Sequence, residues 1–175
     1  MKADLHNHSY YSDGVLSPSE VIKLASQAEC DLFSLTDHDT TDGIAEAQLE
    51  ANKLNLNLVN GVEISALWRN MAIHILGLGI DINNEILQTG LEHNQKLRKE
   101  RAEKIALGLC RCGIKDALEK TQNFSKTDML TRTHFAQMLI SEGYCKDMKA
   151  VFRRYLTGKK PGWAALILKA RDPII

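Results

Sequence analysis

The stretch DLFSLTDHDTTDGIAEAQLEANKL, residues 31–54, decides the fold. Its first six residues are mostly apolar and short in extent, which predicts a buried strand over 31–36. Turn-forming residues follow at 40–43, and the apolar positions of 44–54 then recur at helical spacing. Between the two stands TDHD, residues 36–39, carrying Asp37, His38 and Asp39. A strand running directly into a helix is half of a crossover unit. In parallel α/β sheets the loop at such a junction lines the site.

The pattern repeats on both sides. Upstream, residues 3–8 read as a strand with Asp4, His6 and His8 on one face by the two-residue period. Ser17-Pro18-Ser19-Glu20 is a capping box with proline at the first helical position, and Val21, Ile22, Leu24 and Ala25 form the apolar face behind it. Downstream, NLVNGVEIS (57–65) reads as a third strand with a glycine inside it, and MAIHILGLG (71–79) as a fourth. Strand, helix, strand, helix, strand predicts an α/β fold on a parallel sheet.

After Asp81 the pattern becomes helical, over 83–112 and then about 114–121, 127–142 and 147–157. The chain therefore divides into a sheet portion (1–82), an all-helical subdomain (83–162) and a tail (163–175) that fits no element.

Composition narrows the class. The 175 residues are 44% hydrophobic, and Lys+Arg 22 balances Asp+Glu 22, which argues against a wholly electrostatic nucleic-acid binder. No apolar run is long enough for a bilayer, and MKADLHNHS lacks the apolar stretch of a signal peptide, so a cytoplasmic protein is expected. Cys30, Cys110, Cys112 and Cys145 lack a disulfide framework's spacing and are expected as thiols. Cys110-x-Cys112 has no partner pair, which favours a buried or half-buried structural role over a zinc site.

Imidazole and carboxylate groups fall at or near the ends of all four strands: His6, His8 and Asp13, then Asp37 to Asp39, then Glu63, then His74. Singly, each has a plain explanation. A His-x-His pair can pack, TDHD can cap a helix, and a strand histidine can be a satisfied core residue. Glu63 inside an apolar strand is different, because a buried carboxylate needs a cation or strong donors. Together the four positions point to metal binding at one rim. Histidine and carboxylate without thiolate suit Zn²⁺, Mn²⁺ or Fe²⁺. Six candidate ligands, namely His6, His8, Asp13, His38, Glu63 and His74, exceed one tetrahedral ion and imply a cluster of two or three, bridged by Glu63. Asp37 and Asp39 are the candidate catalytic carboxylates, placed to orient His38.

DLHNHSYYSDG, SLTDHDTTDG, GVEIS and HILGL resemble, in order and spacing, the signature motifs of PHP-domain (polymerase and histidinol phosphatase) metal-dependent phosphoesterases. TRTHFAQMLISEGY with AVFRRYLTGKKPGW is similar to the helical insertion of one branch, the nucleoside 3′,5′-bisphosphate phosphatases and RNase AM-type 5′→3′ exoribonucleases. The resemblance extends to about Trp163. It implies a distorted β/α barrel with an all-helical insertion and a trinuclear site. His6 and His8 with Glu63 would hold one ion, Glu63 and His74 a second, Asp13 and His38 a third. Arg132 and His134 match positions that contact the substrate phosphate in this branch. The implied chemistry is phosphate-ester hydrolysis by activated water, on nucleotides or the 5′ end of short RNA.

The resemblance also implies three later ligands: a histidine, then an aspartate and a histidine close together. This chain has no histidine after His134 and one aspartate, Asp172, after Asp147. A fragment, a truncated product or a frameshifted tail after Trp163 is therefore expected, with an incomplete barrel and an open sheet edge suited to self-association. The alternative function is a metal-binding or interaction protein without turnover. An amidohydrolase on a His-x-His barrel fits less well, given TDHD and the SDG turn.

Two basic stretches bear on partners. Lys96, Arg98, Lys99, Arg101 and Lys104 share a helix with Glu100 and Glu103, the pattern of a solvated face with intrahelical pairs. Lys149, Arg153, Arg154, Lys159, Lys160, Lys169 and Arg171 face one acid, Asp172, and form a patch that would steer a short phosphodiester chain. Phe152, Tyr155 and Trp163 would stack bases, or pack a helix core in the case of the first two.

Overall fold

The computed structural model of the chain describes residues 1–69 and 71–164; the expected tail beyond Ala164, with Lys169, Arg171 and Asp172, lies outside the described residues. The described residues divide into two compact units, one built on Met1–Gln95 and the other starting at Lys96.

The first unit runs β1 (Ala3–Asn7), α1 (Pro18–Gln27), β2 (Leu32–Leu35), α2 (Ile44–Leu54), β3 (Asn57–Trp68) and β4 (Met71–Leu78). The sheet order is β1-β2-β3-β4. The capping box at α1 forms as read: Ser17 N donates to Glu20 Oε2 at 2.7 Å, and Glu20 N donates to Ser17 Oγ at 3.2 Å. Asn55, in the left-handed region at φ 53°, closes α2 and turns the chain into β3. Ile22 and Ala25 of α1 and Ala47 and Ala51 of α2 bury against Phe33 and Leu35 of β2. Phe33 is 2% exposed, so Phe33→Ala removes about 3–5 kcal/mol of stability.

β1 and β2, and β2 and β3, pair in parallel as expected, but β3 and β4 pair antiparallel. The reason lies in the connection. Residues 69–70 alone join Trp68 to Met71, and Arg69 turns at φ 48°. A parallel return needs a crossover of a dozen residues or more, whereas two residues make a hairpin. Glu63 and His74 therefore do not lie at the ends of parallel strands. Glu63 sits in the middle of β3, and His74 in the middle of β4 opposite Ser65.

One further parallel contact extends the β2–β3 pairing beyond β2 itself. His38 forms an isolated bridge with Glu63: Glu63 N donates to Asp37 O at 3.1 Å, and Asp39 N to Glu63 O at 3.0 Å. Gly61 permits the close approach of the two strands. A Cβ there would lie 2.2 Å from Ser34 Oγ and 2.9 Å from Leu35 O.

α3 (Glu85–Cys110) begins in the first unit and continues into the second, which adds α4 (Ala117–Gln122), α5 (Arg132–Ser141) and α6 (Met148–Val151), the last followed by a π-type turn over Phe152–Leu156. Ile105, Leu109, Ile114, Phe135, Met138, Leu139 and Leu156 form its core. α5 begins later than residue 127 because polar side chains take the backbone groups there. Ser125 Oγ donates to Thr127 O at 2.8 Å, and Met129 N donates to Thr127 Oγ1 at 3.3 Å.

Two expectations for this half are corrected. Arg98 is buried, not on a solvated face. Cys110 and Cys112 are exposed thiols at the end of α3. Of the three aromatics, the core alternative holds for the first two, with Tyr155 in the helical core and Phe152 packed against it, while Trp163 is exposed. Among the described residues no helix is long and apolar enough to cross a membrane.

Candidate metal centre

The centre forms around Glu63, whose carboxylate is buried although most of its neighbours are half-exposed. β1 sends His6 and His8 to the same side: His6 Nε2 lies 2.8 Å and His8 Nε2 3.1 Å from Glu63 Oε2. The period of two puts both rings on one face, and their centroids are 5.1 Å apart. From the loop after β2, His38 Nδ1 lies 3.5 Å from the same oxygen. From β4, His74 Nδ1 lies 2.6 Å from Glu63 Oε1. The hairpin explains this approach, because Ser65 and His74 are cross-strand partners and Glu63 is two residues along the same face of β3.

Asp13 joins from the loop between β1 and α1. Its Oδ1 is 3.7 Å from His8 Nδ1, and its Oδ2 is 3.9 Å from His38 Nε2. The loop folds back on itself through Ser12 N and Gly14 N, both donating to Ser9 O. Gly14 is required by this packing, since a Cβ would lie 2.4 Å from His8 O.

Three overlapping donor groups result: His6, His8 and Glu63; His8, Asp13 and His38; His38, Glu63 and His74. In each, the ligand atoms lie within 4.8 Å of one another. Imidazole nitrogens and carboxylate oxygens gathered at this spacing, with Glu63 offering a different oxygen to either side, fit divalent metal binding.

Asp37 and Asp39 flank His38 and are both buried. Asp37 accepts from Ser9 N at 2.7 Å, Ser9 Oγ at 2.6 Å and Ser12 Oγ at 2.6 Å. Burial pushes its carboxyl above the ordinary value, while the Ser12 and Ser9 donors pull it back. Asp39, at φ 52°, accepts from Ser65 N at 2.8 Å, Ser65 Oγ at 2.6 Å and Asn94 Nδ2 at 2.8 Å.

Ser9, Ser12, Ser65, Asn94 and Gln95 were not among the residues singled out from sequence. One signal was present for Asn94. It follows Leu91 by three residues on the buried stripe of α3, where an amide needs partners.

Arg132 and His134 lie in the second unit at the start of α5. His134 is buried and accepts from Thr131 N through Nδ1 at 3.2 Å, completing a capping box. The Arg132 guanidinium stands 5.7 Å from the Phe152 ring centroid. Nearby Arg101 donates from Nε to Ala164 O at 2.8 Å. Burial first, then the charges of Arg132 and Arg98, push its pKa down to about 10.

The PHP domain family profile matches residues 4–161, and the chain belongs to this family. It is 43% identical over 169 residues to a 3′,5′-nucleoside bisphosphate phosphatase of Chromobacterium violaceum, covering 93% of this chain and 59% of that protein. It is 40% identical over 162 residues to the 5′-3′ exoribonuclease Rnm of Escherichia coli, covering 91% of this chain and 55% of the relative. Among solved structures, one from Chromobacterium violaceum, described as an amidohydrolase with bound sulfate and no metal, superposes with a TM-score of 0.90 at 42% identity. That match covers 94% of this chain and 58% of the other. The α/β sheet with its helices is thus the PHP-type distorted-barrel arrangement. The chain spans somewhat more than half the length of the relatives it matches.

Proposed function

We propose that this chain carries the metal centre of a phosphoesterase that hydrolyses phosphate esters of nucleoside 3′,5′-bisphosphates or the 5′ end of short RNA. The observation that carries the reading is Glu63, with four imidazole nitrogens within 3.5 Å of its carboxylate oxygens. The two curated relatives, named for a nucleoside bisphosphate and an exoribonuclease activity, supply the substrate class.

In this reading His6 and His8 with Glu63 would hold one ion, Glu63 with His74 a second, and Asp13 with His38 a third, each imidazole serving a single ion. The ions are Mn²⁺, Zn²⁺ or Fe²⁺, two or three in number. When bound, divalent cations stabilise phosphoryl charge and activate water for in-line attack. Two or three protein ligands to each ion would leave coordination positions for other ligands. Asp37 and Asp39 serve the chemistry by holding the His38 loop, since each carboxylate is engaged by three donors. From the family resemblance Arg132 would contact the substrate phosphate, for which its planar guanidinium offers paired donors, and buried His134 would act through the start of α5 that it caps.

The test is phosphate release from a 3′,5′-bisphosphorylated nucleoside by the 175-residue chain with Mn²⁺, against His8→Ala. Release well above that variant supports the reading, and release no greater than the variant's counts against it. A second reading, metal binding without turnover, predicts bound Mn²⁺ with no release above that of the variant.

The working compartment in this reading is the cytoplasm, where the four thiols persist. Self-association through β4 belongs to the same proposal. That strand ends the sheet order and exposes Met71, Ile75, Leu76 and Leu78. A dimer in light scattering that Ile75→Lys dissociates supports it, and a monomer at high concentration removes it.

A further inference from the structure

We propose that Asn94 is a positioning residue for the metal centre, locking the loop that carries His38 onto the strand that carries Glu63. The inference rests on the metal-site reading above and adds a residue to which neither sequence motif nor family resemblance points.

The geometry starts at Asp39. Its backbone adopts φ 52°, a region that residues other than glycine seldom occupy, and the residue is fully buried. Such a conformation persists only where the surroundings hold it. Here they hold it at every polar atom. Asp39 N donates to Glu63 O at 3.0 Å. Asp39 O accepts from Gln95 Nε2 at 2.9 Å. Oδ1 accepts from Ser65 N and from Asn94 Nδ2, both at 2.8 Å, and Oδ2 accepts from Ser65 Oγ at 2.6 Å.

Asn94 completes the lock because its amide nitrogen carries two hydrogens and uses both. One goes to Asp39 Oδ1, and the other to Ser65 O at 2.9 Å. A single nitrogen thus ties the TDHD loop to β3, with His38 one residue from one anchor and Glu63 two residues from the other. Aspartate at 94 would lack the donor and place a second carboxylate against Asp39. Glutamine would overreach by one methylene. Alanine would leave buried acceptors without this donor.

The consequence is selective. His38 belongs to two of the three donor groups, those with His8 and Asp13 and with Glu63 and His74. The group of His6, His8 and Glu63 takes no ligand from the loop. Loosening the His38–Glu63 bridge should therefore weaken binding that uses His38 and affect the group of His6, His8 and Glu63 less. A general loss of stability would affect all three alike.

The experiment has two arms on the 175-residue chain. In the metal-free protein with ¹⁵N-labelled histidine, Asn94→Ala is expected to shift the His38 ring resonances and leave those of His6 in place. In a Mn²⁺ titration the same variant is expected to weaken the ions that His38→Ala also removes, by about 10- to 100-fold, and to retain the ion lost in His6→Ala. Gln95→Ala, which removes only the bond to Asp39 O, is expected to move both readouts the same way by less, and it stands in if Asn94→Ala does not fold. Unchanged His38 resonances, or equal weakening of every ion, would overturn the proposal. A wild-type chain that binds no Mn²⁺ would instead defeat the metal reading, with the resonance arm still deciding the role of Asn94.

Discussion

Glu63 and His74 face each other across an antiparallel hairpin, with Oε1 2.6 Å from Nδ1, while the other carboxylate oxygen lies 2.8 Å from His6 Nε2 on β1. One side chain thus joins β1, β3 and β4 at a single point. Its substitution should be the most damaging in the centre. Glu63→Gln keeps the shape but replaces one acceptor oxygen with a donor nitrogen facing an imidazole. We expect it to lower metal content by at least one ion per chain, measured by elemental analysis, with the far-ultraviolet circular dichroism unchanged.

Single ligands should separate the groups. His6 occurs in one donor group and His38 in two. His6→Ala is expected to remove one binding event in a calorimetric Mn²⁺ titration, and His38→Ala to weaken a different one. Loss of the same event in both variants would contradict the grouping.

Metal should stabilise the fold, since the ligands come from β1, the loop after β2, β3 and β4 together. At a free concentration about 100-fold above Kd, one ion adds about 2.7 kcal/mol. Thermal unfolding should shift upward with Mn²⁺ and return with a chelator. Acidification should shrink the shift, because imidazole must be deprotonated to ligate.

A separate pH effect comes from the cap of α1. The Ser17 backbone N–H, and then its hydroxyl, hold the Glu20 carboxyl below its ordinary value. A carboxyl with a depressed folded value contributes stability that is present above the unfolded value and lost as pH falls through the folded one. Glu20→Gln should therefore unfold at lower temperature than wild type at pH 7, with the difference closing below about pH 4. Ser17→Ala, which removes the hydroxyl acceptor for Glu20 N, should cost about 1 kcal/mol.

Much of this centre was legible in the sequence, and its limits have physical causes. His6 and His8 share a face because strand geometry leaves no other arrangement, and Glu63 announced itself as a carboxylate in an apolar strand. The direction of β4 was also readable, since two residues after Trp68 cannot make a crossover, yet its apolar composition masked the hairpin. Asn94 was harder. Its partners Asp39 and Ser65 lie 55 and 29 residues away, and a helix pattern alone does not say which strand its buried face will meet. Arg98 shows the same limit, because charge spacing cannot distinguish a solvated arginine from a buried one.

A Glu63 centre with this donor set should bind more than one divalent ion. Elemental analysis of the purified chain, loaded with Mn²⁺ and freed of excess, tests it most directly. About two or three ions per chain are expected, with fewer in Glu63→Gln. Less than about one ion per chain, or a content unchanged by that substitution, would contradict it.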